Sequence, residues 1–210
     1  MLTIYRFPTL YRLAMRVGYG ADAEARYPLV ADLVADRTDQ PGHILELCCG
    51  DLALYRHLLR RGLARSYLGL EQSSAMLRLA RRRGVDVRAF DVRAAGELPT
   101  ADTVIMQASL YQFHDIADTL LPRLWAAARR LLVIAEPVRN LSQSRYGAAH
   151  WAARILTRTD DRVHIFRYTE ATLLELYQRC KIPVSRLDRT PGGREIVVCS
   201  FKAPSLSAGP

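Results

Sequence analysis

Short apolar runs alternate with helical apolar spacing along most of this 210-residue chain. Strands are predicted at 44–46, 66–71, 85–90, 102–110 and 131–137. The segments between them space their apolar residues as one face of a helix does. Strands that alternate with helices are typical of an α/β fold, so we predict a doubly wound, Rossmann-like sheet.

The first predicted strand ends in Glu46 and runs into a tight turn around Gly50, after which residues 52–59 have the spacing of a buried helix face. A strand, a turn of small residues and a helix present backbone N–H groups to a nucleotide-like ligand. A plain corner between a strand and a helix would also fit these residues.

The next two strands also end in acids, namely Glu71 and Asp91. An acid at the end of the second strand of a dinucleotide fold accepts hydrogen bonds from ribose hydroxyls. Because packing does not explain acids at the ends of three strands, we predict a ligand site at this edge of the sheet.

Together the ordered motifs resemble those of the class I S-adenosylmethionine-dependent methyltransferases, over about residues 40–202. The segments that carry the resemblance are 44–51 (first motif), 67–77 (second motif), 90–92 (adenine position), 102–110 (fourth strand) and 131–137 (fifth strand). The resemblance implies a seven-stranded sheet with an antiparallel last strand and S-adenosylmethionine as cofactor. It also implies methyl transfer to a small-molecule acceptor, whose nucleophile is left open among O, N, S and C.

The cofactor-binding residues that the resemblance implies lie at the carboxyl ends of the strands: Glu46, Cys48, Gly50, Glu71, Gln72, Asp91, Val92 and Gln107. Glu46 would hold the amino group of the cofactor, directly or through water. A partner for nearby backbone amides is the alternative role for this carboxylate.

Two departures from the family pattern affect the predicted site. Cys48 and Leu52 stand where the family usually has glycine, and we expect Leu52 to add bulk near the cofactor. Gln107 stands where an acid or Asn is frequent, so no carboxylate base is expected there.

Tyr111 and His114 follow the fourth strand, at the edge where methyl acceptors lie in this family, and are the predicted catalytic residues. A histidine can accept a proton from an acceptor near neutral pH, although His114 and Asp115 could instead cap a helix. We expect positioning to dominate over base catalysis. The predicted substrate residues are Tyr11, Tyr19, Glu136, Arg139 and Trp151.

We predict one methyltransferase domain with five parts: a helical N-terminal arm (1–39), a cofactor-binding core (40–137), a cap insertion (138–168), a C-terminal helix and hairpin (169–202) and a tail (203–210). The insertion is far longer than an ordinary loop between a strand and a helix. We expect the arm and the insertion to enclose a substrate pocket, with aromatic rings facing the substrate or the cationic sulfonium.

Composition favours a cytoplasmic enzyme without a membrane segment. We expect a monomer or a homodimer, without a sequence feature that selects between them. The formal net charge is +9, but nearly all of it is arginine, and pairs such as Arg60-Arg61 stand near predicted helix ends. Cations there complement the helix dipole, so we predict no nucleic-acid partner. The four cysteines lack the spacing of a zinc site, so we predict reduced thiols and no metal.

Two other functions remain open from the sequence. A nicotinamide-dependent oxidoreductase would use the same turn and Glu71, but residues 48–53 lack two of the glycines that it requires. A protein with the same fold could bind the cofactor without methyl transfer, or catalyse another reaction. Calorimetry with S-adenosylmethionine, its demethylated product and NAD would distinguish these functions.

Overall fold

The computed structural model describes residues 22–36, 42–94, 96–138, 158–159, 162–163 and 166–202. The helices are α1 (Asp22–Ala35), α2 (Ala53–Arg60), α3 (Ser74–Arg82), α4 (Ala117–Ala127) and α5 (Glu170–Arg179), with a 3₁₀ helix at Leu110–Ile116. The strands are β1 (Gly42–Leu47), β2 (Ala64–Glu71), β3 (Val87–Ala89), β4 (Ala101–Gln107), β5 (Ala128–Pro137), β6 (Arg158–Thr159), β7 (Arg162–Val163), β8 (Arg186–Arg189) and β9 (Glu195–Phe201).

The main sheet of this described part has seven strands in the order β3-β2-β1-β4-β5-β9-β8. Strands β1 to β5 pair in parallel, whereas β9 pairs antiparallel with both β5 and β8. The predicted fold class, a Rossmann-like sheet with an antiparallel last strand, is confirmed. Parallel pairing brings the carboxyl ends of β1 to β5 to one edge of the sheet. The acids predicted at strand ends, Glu46, Glu71 and Asp91, lie at this edge.

Alternate residues of the central strands face opposite layers, which is why these strands are apolar throughout. One layer packs α4 and α5 against residues such as Leu45, Val104 and Leu132. On the opposite face of the sheet, α1, α2 and α3 pack against the strand residues that alternate with these, including Ile44 and Ile105. Both faces of the sheet are therefore covered by helices, as a doubly wound fold requires.

Most element boundaries match the sequence, with three differences. Strand β3 covers only Val87–Ala89 of the predicted 85–90, and β4 ends at Gln107, three residues before the predicted end. Strand β5 begins at Ala128, three residues before the predicted start. The Thr169 hydroxyl caps α5, because it accepts a hydrogen bond from the Thr172 amide.

A buried ion pair joins the N-terminal arm to the sheet. Arg26 on α1 donates a hydrogen bond to Glu195 Oε1 of β9 at 2.7 Å, and both side chains are almost fully buried. Sequence reasoning missed this pair, because its partners are far apart in the chain. A buried arginine without its carboxylate is costly, so the pair fixes where α1 lies against the sheet.

The position of the Cys49 side chain explains why residue 69 in β2 is a glycine. A Cβ atom added at Gly69 would lie 2.7 Å from Cys49 Sγ and 2.9 Å from Val87 Cγ2. All four cysteines lie in the described part and are free, and burial raises the pKa of both Cys48 and Cys49. No helix in the ranges given above is long and apolar enough to cross a membrane.

Candidate active site

The turn after β1 keeps a left-handed backbone at three alternate positions. The φ angles of Cys48, Gly50 and Leu52 are 55°, 52° and 63°. Such angles cost a residue with a side chain about 1–2 kcal/mol, whereas glycine adopts them freely. The backbone is therefore left-handed at the three positions where the resembled family usually has glycine, although two of the three residues here are not glycine.

Leu52 does not add bulk near the site, so that prediction is wrong. Its side chain is fully buried in the layer formed by α1, α2 and α3. At Gly50, by contrast, an added Cβ would have only the Cys48 carbonyl oxygen within 4 Å among described atoms, at 3.9 Å. The turn thus presents open space where close approach of a ligand to the backbone was predicted.

Glu71 holds the turn in place from the end of β2. Its Oε2 accepts a hydrogen bond from the Gly50 amide at 2.9 Å, and its Oε1 accepts one from the Ser73 amide at 2.8 Å. Burial raises the pKa of this carboxyl, and the hydrogen bonds from the backbone amides oppose that shift. A carboxylate has about four lone-pair sites, so these two bonds leave acceptor capacity for a diol. Gln72 lies exposed beside it.

Glu46 lies beneath the turn in a buried hydrogen-bonded group. Tyr67 OH donates to its Oε2 at 2.6 Å, and Gln107 Nε2 donates to its Oε1 at 2.7 Å. Burial raises the pKa of Glu46 to about 7. Its partners are side chains, so the alternative role as a cap for backbone amides is wrong. Gln107 Oε1 is buried without a hydrogen-bond partner among the described residues.

The loop after β3 is held at both ends. Asp91 Oδ1 accepts a hydrogen bond from the Arg93 amide at 2.9 Å, while Val92 is buried. Arg123 of α4 donates to the carbonyl oxygens of Val92 at 3.2 Å and Gly96 at 2.8 Å. The predicted adenine position therefore has a fixed backbone.

Glu136 supports the 3₁₀ helix from below. Its Oε1 accepts hydrogen bonds from the amides of Ser109 at 2.8 Å and Leu110 at 2.7 Å. The side chain is fully buried, and burial raises its pKa to about 7. In this arrangement Glu136 orders the segment that carries Tyr111 and has no exposed surface, so direct contact with a substrate remains only a prediction.

Tyr111 and His114 lie under the segment that precedes α5. The Phe166 ring stacks on His114 with centroids 4.4 Å apart, and Tyr168 meets Phe166 edge-on. The Arg167 guanidinium lies 3.8 Å from the centre of the buried Tyr111 ring. His114 Nδ1 is 3.3 Å from the Tyr111 carbonyl oxygen. Together Tyr111, His114 and residues 166–168 form a wall of aromatic and cationic side chains. This wall lies on the side of the site where the sequence predicts the acceptor.

The remaining predicted substrate residues, Tyr11, Tyr19, Arg139 and Trp151, lie outside the described residues, as do most of the predicted arm and cap insertion. Sequence reasoning missed Tyr67, Arg93 and Arg167. For Tyr67, the available signal was a phenol directly before the apolar run at 68–70, in the strand predicted beside the one that ends in Glu46. For the arginines there was no signal, since their contacts cross between distant segments.

Comparison with known proteins agrees with this geometry. Residues 44–133 match the family described as "Methyltransferase domain". A trans-aconitate 2-methyltransferase from Mycolicibacterium gilvum (strain PYR-GCK) is 36% identical over 91 residues, which is 43% of this chain. The chain spans only about a third of that relative, 35% of its length.

Solved structures show the same fold at low sequence identity. An O-methyltransferase family protein from Burkholderia thailandensis has a TM-score of 0.66 and 13% identity over 96% of this chain and 62% of its own. Human N-acetylserotonin methyltransferase, solved with SAM, has a TM-score of 0.64 and 15% identity over 95% and 58%. The [4+2]-cyclase SpnF has a TM-score of 0.58 and 15% identity over 86% and 80%.

The motifs and the sheet order agree with these matches. Residues 44–133 are similar to the methyltransferase-domain family, and the chain has the fold of the methyltransferase structures, as the sequence motifs indicate.

The raised pKa of Glu46 predicts a specific dependence of stability on pH. Between about pH 4.5 and 7 the unfolded chain releases this proton while the folded protein retains it. The free energy of unfolding therefore falls as pH rises through that window and stays lower above it. Glu46→Gln keeps the contacts, because an amide can accept from Gln107 and donate to Tyr67. We expect urea denaturation to show that this variant has a higher free energy of unfolding than the wild type. The difference should be larger at about pH 8 than at about pH 5, by up to about 3 kcal/mol.

Burial also raises the pKa values of Glu71 and Glu136. The Glu46→Gln variant therefore removes only part of the fall in unfolding free energy as pH rises. Glu97→Gln, at an exposed position, serves as the control. An equal effect of Glu46→Gln at both pH values would contradict a buried, neutral Glu46.

Proposed function

We propose that this protein transfers a methyl group from S-adenosylmethionine to a small-molecule acceptor. The observation that carries the proposal is the set of groups brought to one sheet edge: the left-handed turn at Gly50, the carboxylate of Glu71 and the fixed loop at Asp91. The methyltransferase-domain match over residues 44–133 supports the same activity. The other end of the site is the wall formed by Tyr111, His114 and residues 166–168.

The residues fit a cofactor with a diol, an adenine ring and a charged amino acid end. Open space beside Gly50 admits the amino acid part against the backbone, and the remaining lone pairs of Glu71 suit a ribose diol. The buried Oε1 of Gln107 is available to a donor. Glu46 would act from below, through Gln107 or a water. When bound, S-adenosylmethionine supplies an electrophilic methyl group on a positively charged sulfur.

We propose that the residues on the acceptor side contribute to catalysis by holding the acceptor in position. Neither Gln107 nor the buried Glu136 is placed as an exposed base. Tyr111 and His114 instead have fixed orientations, because Arg167 and Phe166 pack on their rings. Holding an acceptor in line with a methyl group and excluding water lowers the barrier without proton transfer. The arm and the cap insertion, as predicted from the sequence, would complete the enclosure within a single domain.

Two alternatives are less well supported. A nicotinamide-dependent oxidoreductase does not account for the methyltransferase-domain match. A cofactor-binding protein with another reaction is the second alternative, since the cyclase SpnF has the same fold. The curated relative is named for methylation of trans-aconitate, a small molecule, which favours a small acceptor here too.

Incubation with S-adenosylmethionine labelled in its methyl group tests the function. We expect label in a small-metabolite extract and none above background in tRNA or in a protein lysate, because the acceptor side is bounded by the 166–168 wall. Label mainly in the macromolecular fractions would overturn the small-molecule acceptor. Binding without any label in the three fractions would favour the cofactor-binding alternative.

Glu71→Gln tests the ribose assignment. The amide retains one acceptor oxygen but loses the charge, so we expect the Kd of S-adenosylhomocysteine to rise about tenfold in calorimetry. Glu71→Ala also removes the contacts to Gly50 and Ser73, and about thirtyfold is expected. Asp86→Asn, at the opposite end of β3, is the matched control. An unchanged Kd in a folded Glu71→Gln variant would refute the assignment.

His114 variants distinguish positioning from base catalysis. Phenylalanine can keep the stack on Phe166 but cannot take a proton. We expect His114→Phe to retain most of the rate and His114→Ala to lose less than the 10²–10⁴-fold typical of a missing general base. If both variants lose that much, and a single ionisation in the wild-type pH profile disappears with them, His114 is the base.

A further inference from the structure

Arg93 connects two segments on either side of the predicted cofactor position. Its guanidinium binds Asp115 through two hydrogen bonds, of 2.7 Å and 2.9 Å. It also donates to the Gln112 carbonyl oxygen at 3.1 Å and lies 5.4 Å from the centre of the Phe113 ring. One side chain of the loop after β3 therefore contacts three residues of the 3₁₀ helix.

The backbone of Arg93 belongs to the loop at the predicted adenine position. Its amide donates to Asp91 Oδ1, and the preceding residue, Val92, is buried and held by Arg123. A rigid loop whose one long side chain reaches across to another element can transmit a change in the loop to that element.

The other contacts of the 3₁₀ helix face the acceptor side. Tyr111 packs under Arg167, and His114 stacks on Phe166. Glu136 fixes the first amides of the same helix. The helix Leu110–Ile116 thus has the cofactor loop on one side and the acceptor wall on the other.

We propose that Arg93 and Asp115 form a positioning clasp that couples the adenine end of the cofactor site to the 3₁₀ helix carrying Tyr111 and His114. A cofactor bound against the loop stabilises it further, and the clasp passes this stabilisation to the acceptor side, so the 3₁₀ helix opens less often when cofactor is present. The inference rests on the proposed function. Arg93 acts through Asp115 and is a positioning residue, not a catalytic one.

The geometry makes this pair stronger than an ordinary surface ion pair. Exposed ion pairs contribute little on average, because solvent screens them and long side chains lose freedom. Two parallel hydrogen bonds, a third bond to a carbonyl and a cation–π contact hold Arg93 in one orientation. The Arg93 guanidinium lowers the pKa of Asp115 to about 2, so the pair is ionised at neutral pH.

A pair of similar chemistry elsewhere supplies the matched control. Arg179 of α5 binds Asp118 of α4 through hydrogen bonds of 3.0 Å and 3.3 Å. This pair also joins two elements, and among the described residues its hydrogen bonds involve neither the loop after β3 nor residues 110–116. Its loss should therefore test what a comparable ion pair does when it does not adjoin the cofactor site.

Hydrogen exchange measured by mass spectrometry, with and without saturating S-adenosylhomocysteine, tests the clasp. In the wild type we expect the ligand to slow exchange of amides in both 48–52 and 110–116. In Arg93→Gln the protection of 48–52 should remain while that of 110–116 is lost, and the Kd should rise only about fivefold. Arg179→Gln should leave both protections at wild-type values.

Charge reversal adds a second readout. Arg93→Asp combined with Asp115→Arg should restore at least half of the lost protection of 110–116, whereas each single change should not. Urea denaturation of every variant shows whether it is folded. Equal protection of 110–116 in the wild type and in Arg93→Gln overturns the clasp. Failure of the wild type to bind S-adenosylhomocysteine overturns the proposed function instead.

Discussion

Carboxylates buried where parallel strands end must find hydrogen-bond donors, and this requirement organises the site. Glu71 takes its donors from the Gly50 turn and the start of α3, and Glu136 takes them from the start of the 3₁₀ helix. Glu46 takes them from the side chains of Tyr67 and Gln107. Glu71 and Glu136 thereby fix segments that follow strands, whereas Glu46 links β1 to β2 and β4. Leaving a buried carboxylate unpaired would cost more than ordering these groups.

The turn after β1 shows that backbone shape can persist when its usual residues do not. Cys48 and Leu52 adopt left-handed angles, and the cost is offset by the core that encloses Leu52 and by the Glu71 bond to the Gly50 amide. Strain supported in this way is common where a loop must approach a ligand. Gly50, where an added Cβ would have a single described atom within 4 Å, is the one of the three positions that remains glycine.

The regular elements could be predicted because their signals are local. Apolar periodicity located β1, β2, β4 and β5 within a few residues, and the C-terminal helix and hairpin lie within the predicted 169–202. The acids Glu46, Glu71 and Asp91 could be picked out because they interrupt apolar runs at strand ends. The short extent of β3 was not predictable, since an edge strand has a pairing partner on one side only.

The sequence by itself determined the class of fold and the residues that border its ligand edge, because both follow from residue type and spacing along a single segment. Only the tertiary structure decided that Glu136 lies beneath the 3₁₀ helix, that Leu52 faces the core and that Arg26 meets Glu195. It also decided the clasp between Arg93 and Asp115 and the packing of Arg167 on Tyr111. Contacts of this kind join residues from separate elements, and their partners are chosen by how the layers pack rather than by any local pattern.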